Sequence, residues 1–278
     1  MSYYELWGLN EEPFSTSPDP RFFYLTERHR YALNKIEIGI RLRKGLTTIL
    51  GPIGSGKTTL SRALLQRFQN DLDCIFYFIF DPSFRTDFEF LHALARQFGI
   101  KTGRSRAYCK AAIQEFLFDL NENQKTNIVL VIDEAQKLNQ DNLETLRTFL
   151  NYESNEYKFL QVILLGQPEL YSSMLNMDNL MDRIYFKFAL EKLTADEIQN
   201  LLYFRLKQAG CPDPEKRLEP TLSKFLWETT NGLPRRITHL CHLALTDCII
   251  QNEPILSINH FEKLLNEEKH FHEQFAHS

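Results

Sequence analysis

The residues with the most chemistry in them begin at Gly51. From there to Thr58 the chain reads GPIGSGKT, which fits G-x-x-x-x-G-K-[ST]. Gly51 and Gly56 permit a tight turn whose backbone N–H groups face inward, and such a nest holds the oxygens of a polyphosphate. Pro52, Ile53, Gly54 and Ser55 complete the turn. Lys57 brings a compact positive charge for the β and γ oxygens, and the Thr58 hydroxyl is a ligand for Mg²⁺. A helix opening at Thr59 adds its positive end to the same place. The ligand implied is ATP with Mg²⁺.

Four further positions could act on that ligand. In NIVLVIDEAQKL an apolar run ends in Asp133, a second metal-directed carboxylate, followed by Glu134, placed to polarise the attacking water. In FLQVILLGQPEL a second apolar run ends at Gln167, a polar side chain able to sense the γ-phosphate or the lytic water. Arg183, just before a fifth apolar run, and Arg235, in TNGLPRRITHL, each offer a guanidinium. Either stabilises charge developing on a phosphoryl group or makes a surface ion pair.

These residues need a scaffold that brings them to one edge. Short apolar runs at Leu46–Leu50, Cys74–Phe80, Ile128–Ile132, Leu160–Leu165 and Ile184–Phe188 read as buried parallel strands. Helical patterns lie between them at Thr59–Phe68, Asp87–Phe98, Cys109–Leu120 and Asp141–Asn151. That alternation predicts a doubly wound α/β layer structure, whose ligands bind at the carboxyl ends of the strands. Beyond Leu193 strand patterns cease. Thr194 with Glu197 makes a capping box for a helix ending near Gly210, and helices follow near Glu219–Thr229, Pro234–Gln251 and Asn259–His270. The expected division is an α/β domain over 1–192 and a helical domain over 193–278.

Composition narrows the setting. The chain has 278 residues, 43% hydrophobic and 24% charged, with a formal charge of −4. Such a balance fits a soluble globular protein and not a chain coated by nucleic acid. Its longest apolar runs are too short to span a bilayer. MSYYELWGLNEEPF lacks a secretory pattern, and the five cysteines form no C-x-x-C pair. Reduced thiols in the cytoplasm are expected, with any membrane association supplied by a partner.

Together these elements resemble an AAA+ ATPase, and one branch in particular: the general secretion pathway protein A, or ExeA-type, family. PFSTSPDPRFFYLTERHRYAL, IDEAQKL, LETLRTFLNYE, LLGQPEL and GLPRRI carry the resemblance, which runs from Tyr4 to about Ala244. It implies a three-layer sandwich on a parallel five-stranded sheet with a C-terminal all-helical lid, and MgATP between the two. It also makes Gln167 the first sensor, Arg183 the finger reaching a neighbour's ATP, and Arg235 the second sensor. Residues near Phe22–Tyr24 and His29 would approach the adenine. An ATP-dependent homo-oligomer, ring or filament, follows from the same resemblance.

The sequence departs from that family in two ways. Asp81-Pro82 stands where relatives commonly have Asn-Pro after the second strand, and a carboxylate near Glu134 is expected to raise the pKa of one of the pair. Relatives also continue into a membrane helix and a peptidoglycan-binding region, whereas this sequence ends at Ser278 before either.

The output of the ATPase therefore stays open between three readings. The resemblance favours a switch that drives assembly of an envelope secretion, pilus or polysaccharide-export system through a protein partner. A DNA-linked ATPase of the transposition-regulator (TniB/TnsC) type would use KTGRSRAYCK, where Lys101, Arg104, Arg106 and Lys110 occur without an acidic residue. A small-molecule kinase fits less well with a long helical lid.

Weaker features read as packing or solvated surface. Cys241 and Cys248 with His239 and His242 form a helix face, HFHEQFAHS an unstructured tail, and Arg147 with Asn151 a helix face open to solvent or a neighbouring subunit.

Overall fold

A computed structural model of the chain describes residues 7–17 and 19–275. Tyr4 and Pro18, which belong to the resemblance, and the last three residues of the tail lie outside the described residues. Two compact units form. One comprises Glu27–Ile53 and Lys57–Leu190; the other gathers the chain up to Thr26, the short stretch Gly54–Gly56, and the chain from Glu191 onward.

The first unit is built on five parallel strands: β1 (Leu46–Leu50), β2 (Cys74–Ile79), β3 (Asn127–Ile132), β4 (Leu160–Gly166) and β5 (Ile184–Ala189). Their order is β2-β3-β4-β1-β5. β3 and β4, aliphatic but for Asn127 and Gln161, are buried at every position, as central strands covered on both faces are. β2 and β5 are the sheet's edges, and both are half-exposed rather than buried. Their aromatic content made them look like core strands in the sequence.

Helices α1 (Glu27–Arg41), α2 (Lys57–Arg67), α3 (Asp87–Gln97), α4 (Arg106–Phe118), α5 (Gln140–Phe149), α6 (Pro168–Leu175) and α7 (Asp178–Met181) accompany the sheet. No element was expected at α1, yet Ala32, Leu33, Ile36 and Ile40 recur there at helical spacing and are buried. Side-chain caps set three helix starts: Thr86, Ser105 and Asn139 accept the N–H of Glu89, Tyr108 and Asn142. The Ser105 cap starts α4 three residues earlier than its apolar pattern suggested. Its far end widens into a π turn, Asp119–Asn123, in which the Asn121 amide donates to the carbonyls of Leu117 and Phe159.

The second unit packs α8 (Ala195–Gln208), α9 (Leu222–Thr230), α10 (Pro234–Ile250) and α11 (Ile258–Phe275), with one β-bridge between Leu218 and Leu256. Thr194 and Glu197 form the capping box of α8, and Gly210 follows that helix at φ +101. Trp7, Leu9, Phe14 and Phe22 belong to this unit's core. Trp7 Nε1 donates to the Glu253 carbonyl at 3.0 Å, and the half-buried Arg205 reaches the carbonyls of Pro13 and Ser15, each at 3.2 Å. The N-terminal segment, grouped by its sequence with residues up to 192, thus packs with the helices. α11 runs to Phe275, so HFHEQF of the tail is helical and not unstructured.

Candidate nucleotide site

Within the first unit the strands run in one direction, so the sheet has a carboxyl edge and an amino edge. β1 leaves the carboxyl edge at Leu50, and the N–H of Gly51 donates to the Gly166 carbonyl at 3.0 Å, fixing the start of the loop to the end of β4. α2 opens at Lys57, two residues before the expected Thr59. The buried Lys57 ammonium donates to the carbonyls of Gly51 at 2.8 Å and Pro52 at 3.0 Å. Burial lowers its pKa, while the carboxylates of Glu134, Asp133 and Glu169 act in the opposite sense.

β3 delivers Asp133 to the same edge. The Thr58 hydroxyl donates to Asp133 Oδ2 at 2.6 Å, and Asp133 Oδ1 accepts the Glu134 N–H at 2.9 Å. The N–H of Asp133 is in turn held by the Ile79 carbonyl at 2.8 Å, from the end of β2. Glu134 adopts a left-handed backbone with φ 53, a conformation costly for a residue other than glycine. That turn swings its side chain out of the strand's direction and opens the short 3₁₀ helix Ala135–Lys137.

Gln136, on that helix, was not singled out from the sequence. Its Nε2 donates to Glu134 Oε2 at 2.7 Å, and its Oε1 accepts the Gln167 N–H at 3.1 Å. Gln167 stands at the N-cap of α6, directly after β4. Only its position, two residues past Glu134 in IDEAQKL, was available to mark Gln136.

The residues present suit a polyphosphate and Mg²⁺. Gly54 and Gly56 have φ +78 and +97, and the hydroxyl of Ser55 between them is buried without a hydrogen-bond partner. Thr58 and Asp133 supply two hard oxygens. Among the described residues no cluster of three or more His, Cys, Asp and Glu could hold a metal. A small oxygen set completed by water and phosphate is the habit of Mg²⁺.

The loop tip Gly54–Gly56 groups with the helical unit. There the Arg235 N–H donates to the Gly54 carbonyl at 3.2 Å, and a Cβ at Gly54 would lie 2.8 Å from that of Arg235. Arg235 is exposed at the start of α10. Phe23 lies against Gly56, where a Cβ would meet its ring at 3.4 Å. Phe22 is a core residue and Tyr24 packs on Phe204, while His29 is buried on α1.

Arg183 sits at the other edge. Ile184, which follows it, pairs with Leu46 at the amino end of β1, whereas the loop leaves from the carboxyl end. About 20 Å of strand, at roughly 3.3 Å per residue, separates it from Gly51. Its Nε is buried without a hydrogen-bond partner.

Several other expectations change. Asp81 is held by partners other than Glu134. Its carboxylate accepts from Ser83 Oγ at 2.5 Å and Lys137 Nζ at 3.0 Å, which hold its own pKa below the usual carboxylate range. In KTGRSRAYCK, Arg106 is paired with Asp87, so the basic stretch does meet an acid; Lys101, Arg104 and Lys110 are exposed. Arg147 is engaged by Glu144 on its own helix. The packing expected of Cys241 and Cys248 is borne out, since both are fully buried in the helical core.

An AAA-domain family model matches residues 40–174. General secretion pathway protein A of Aeromonas hydrophila is 36% identical over an alignment covering 87% of this chain and 44% of that protein, so the chain spans less than half its length. Among solved structures, the ORC2 protein of Aeropyrum pernix is similar at TM-score 0.66 and 17% identity, covering 94% of this chain and 72% of that one. Cdc6p of Pyrobaculum aerophilum is similar at TM-score 0.67 and 19% identity, covering 90% and 69%. The RuvB Holliday junction branch migration motor of Thermotoga maritima is similar at TM-score 0.58 and 15% identity, covering 87% and 68%. Among the described residues no helix is long and apolar enough to cross a membrane.

Proposed function

Since the chain belongs to the AAA+ ATPases, we propose that it hydrolyses MgATP at the carboxyl edge of its sheet, and that the 2.6 Å bond between Thr58 and Asp133 marks the metal position. Mg²⁺ there, held by Thr58 and through water by Asp133, would neutralise charge on the phosphoryl oxygens. Lys57 carries the charge that meets the β and γ phosphates. The loop from Gly51 to Thr59 cradles them with its backbone N–H groups and the positive end of α2. Glu134, next to the metal residue, takes the proton of the attacking water. Gln167 orients that water or the γ-phosphate, and Arg235, tied to the loop tip at Gly54, reports the nucleotide state to the helices.

Arg183 completes the site of a second copy. Its place at the amino edge, with a buried and unpartnered Nε, supports action in trans and therefore an ATP-dependent ring or filament. Similarity to general secretion pathway protein A favours an envelope secretion, pilus or polysaccharide-export assembly as the partner of that oligomer, met at the cytoplasmic face of the membrane. A DNA-linked output is less supported, because Arg106 is engaged by Asp87.

Replacing Glu134 with Gln tests the core of this reading. Removal of a general base costs about 10²–10⁴-fold in kcat, so phosphate release should fall by that factor while affinity for a fluorescent ATP analogue with Mg²⁺ is retained. Native turnover in Glu134→Gln would take the base role away from this residue.

A further inference from the structure

The amide of Gln136 joins two parts of the site that come from different strands. Through Nε2 it holds one carboxylate oxygen of Glu134, after β3; through Oε1 it holds the backbone N–H of Gln167, after β4. The two bonds fix the orientation of the amide, since only its nitrogen can donate to a carboxylate and only its oxygen can accept an N–H. The surroundings leave it little room. A Cβ added at Gly166 would stand 3.4 Å from Gln136 Oε1 and 2.6 Å from Leu170 Cδ2. Asp81, beyond the end of β2, is held by Ser83 and Lys137 and takes no part.

We propose that Gln136 is a positioning residue for ATP hydrolysis: it holds Glu134 by Oε2 so that Oε1 faces the attacking water, and registers that carboxylate against the Gln167 backbone. The proposal rests on the reading of Glu134 as the base. The terminal torsion of a glutamate is broad and roughly two-fold, so a carboxylate without this donor samples many orientations. A neutral amide restrains it without neutralising it. The restraint also makes the alignment of the base depend on where the β4–α6 junction sits.

Three measurements on the full chain test this. In Gln136→Ala, kcat should fall by about 10–100-fold, the scale of a misplacement near 1 Å, with the affinity for a fluorescent ATP analogue and the melting temperature unchanged. Amide exchange at Gln167 in the nucleotide-free protein should accelerate in Gln136→Ala, which lacks an acceptor, and stay slow in Gln136→Glu, which keeps one. In Gln136→Glu the added carboxyl can donate to Glu134 only when protonated, so turnover should be low at neutral pH. It should recover as pH falls and the two carboxyls share a proton. Native kcat in Gln136→Ala, or parallel losses of kcat, affinity and melting temperature, would overturn the positioning role. So would identical pH profiles in the two variants. If instead Glu134→Gln turns over normally, the base assignment fails first, and the two failures are separable.

Discussion

The two edges of the sheet treat their charged groups in different ways. At the carboxyl edge the side chains of Lys57, Thr58, Asp133, Glu134 and Gln136 are all engaged with one another or with nearby backbone. At the amino edge Arg43 is engaged by Asn121 and the Lys125 carbonyl and stacks over Tyr157, and Lys158 pairs with Glu153. Arg183 has a buried Nε there with no hydrogen-bond partner, as does the Oδ1 of Asn127 at the start of β3. Lys158 has its pKa lowered first by burial and then by the positive charge of Arg183. An unsatisfied buried donor costs about 1–3 kcal/mol. At one edge the charged groups Lys57, Asp133 and Glu134 are all engaged within a single chain; at the other, Arg183 keeps a buried Nε without a hydrogen-bond partner.

The contrast is most exposed to refutation at Arg183. An arginine supplied to a transferring phosphoryl group accounts for about 10³–10⁵ in kcat. Arg183→Ala should therefore reduce phosphate release by that order at concentrations where the native protein oligomerises, and leave nucleotide affinity of the separated subunit intact. Mixing it with Lys57→Ala should restore turnover, because each variant lacks a different half of a shared site. Sedimentation alongside the assay reports whether the mixture assembles. No recovery in a mixture that does assemble would place Arg183 outside the reaction and reduce the amino edge to a strained surface.

A smaller effect sharpens the carboxyl edge. If Asp133 acts on the metal through water, its loss resembles loss of an outer-sphere partner, which costs about 10–100-fold in metal affinity or activity. Asp133→Asn keeps the shape and an acceptor for the Thr58 hydroxyl. It should raise the Mg²⁺ concentration needed for half-maximal turnover by that factor. A shift in ATP affinity measured without Mg²⁺, and no change in the Mg²⁺ requirement, would move Asp133 from the metal to the loop.

The difference between the edges also explains what could be read from the sequence. Gly51 to Thr58, Asp133 and Glu134 were legible because each sits where an apolar strand gives way to polar residues, and strand ends are visible in composition. The five strands emerged for the same reason, including β1, whose limits Leu46–Leu50 match the apolar run. Burial at the two edge strands did not, because aromatic residues suit an edge as well as a core and strand order is set by pairing between distant segments. The attachment of Trp7, Leu9 and Phe14 to the helical core was hidden too, since those contacts span nearly the whole chain. Gln136 escaped notice because hydrogen bonding by an amide depends on the left-handed turn at Glu134, and no local pattern announces a positive φ at a glutamate.

Asp81 provides the smallest expected effect and the finest check on the carboxyl edge. Its carboxylate lies at the end of β2 yet faces Ser83 and Lys137, not Glu134. Asp81→Asn should therefore leave kcat and its pH profile unchanged within the scatter of the assay. The exposed Asp81–Lys137 pair is open to solvent screening. The hydrogen bonds to Ser83 and Lys137 depress the pKa of Asp81 in the folded state. Any stability it adds is thus present above the carboxylate's ordinary pKa and is lost as pH falls through the lower, folded value. The melting-temperature difference between the native chain and Asp81→Asn should accordingly be small at neutral pH and vanish in acid. A displaced pH profile of turnover would instead bring Asp81 into electrical contact with Glu134, and the separation between the catalytic carboxylate and its neighbour on β2 would have to be redrawn.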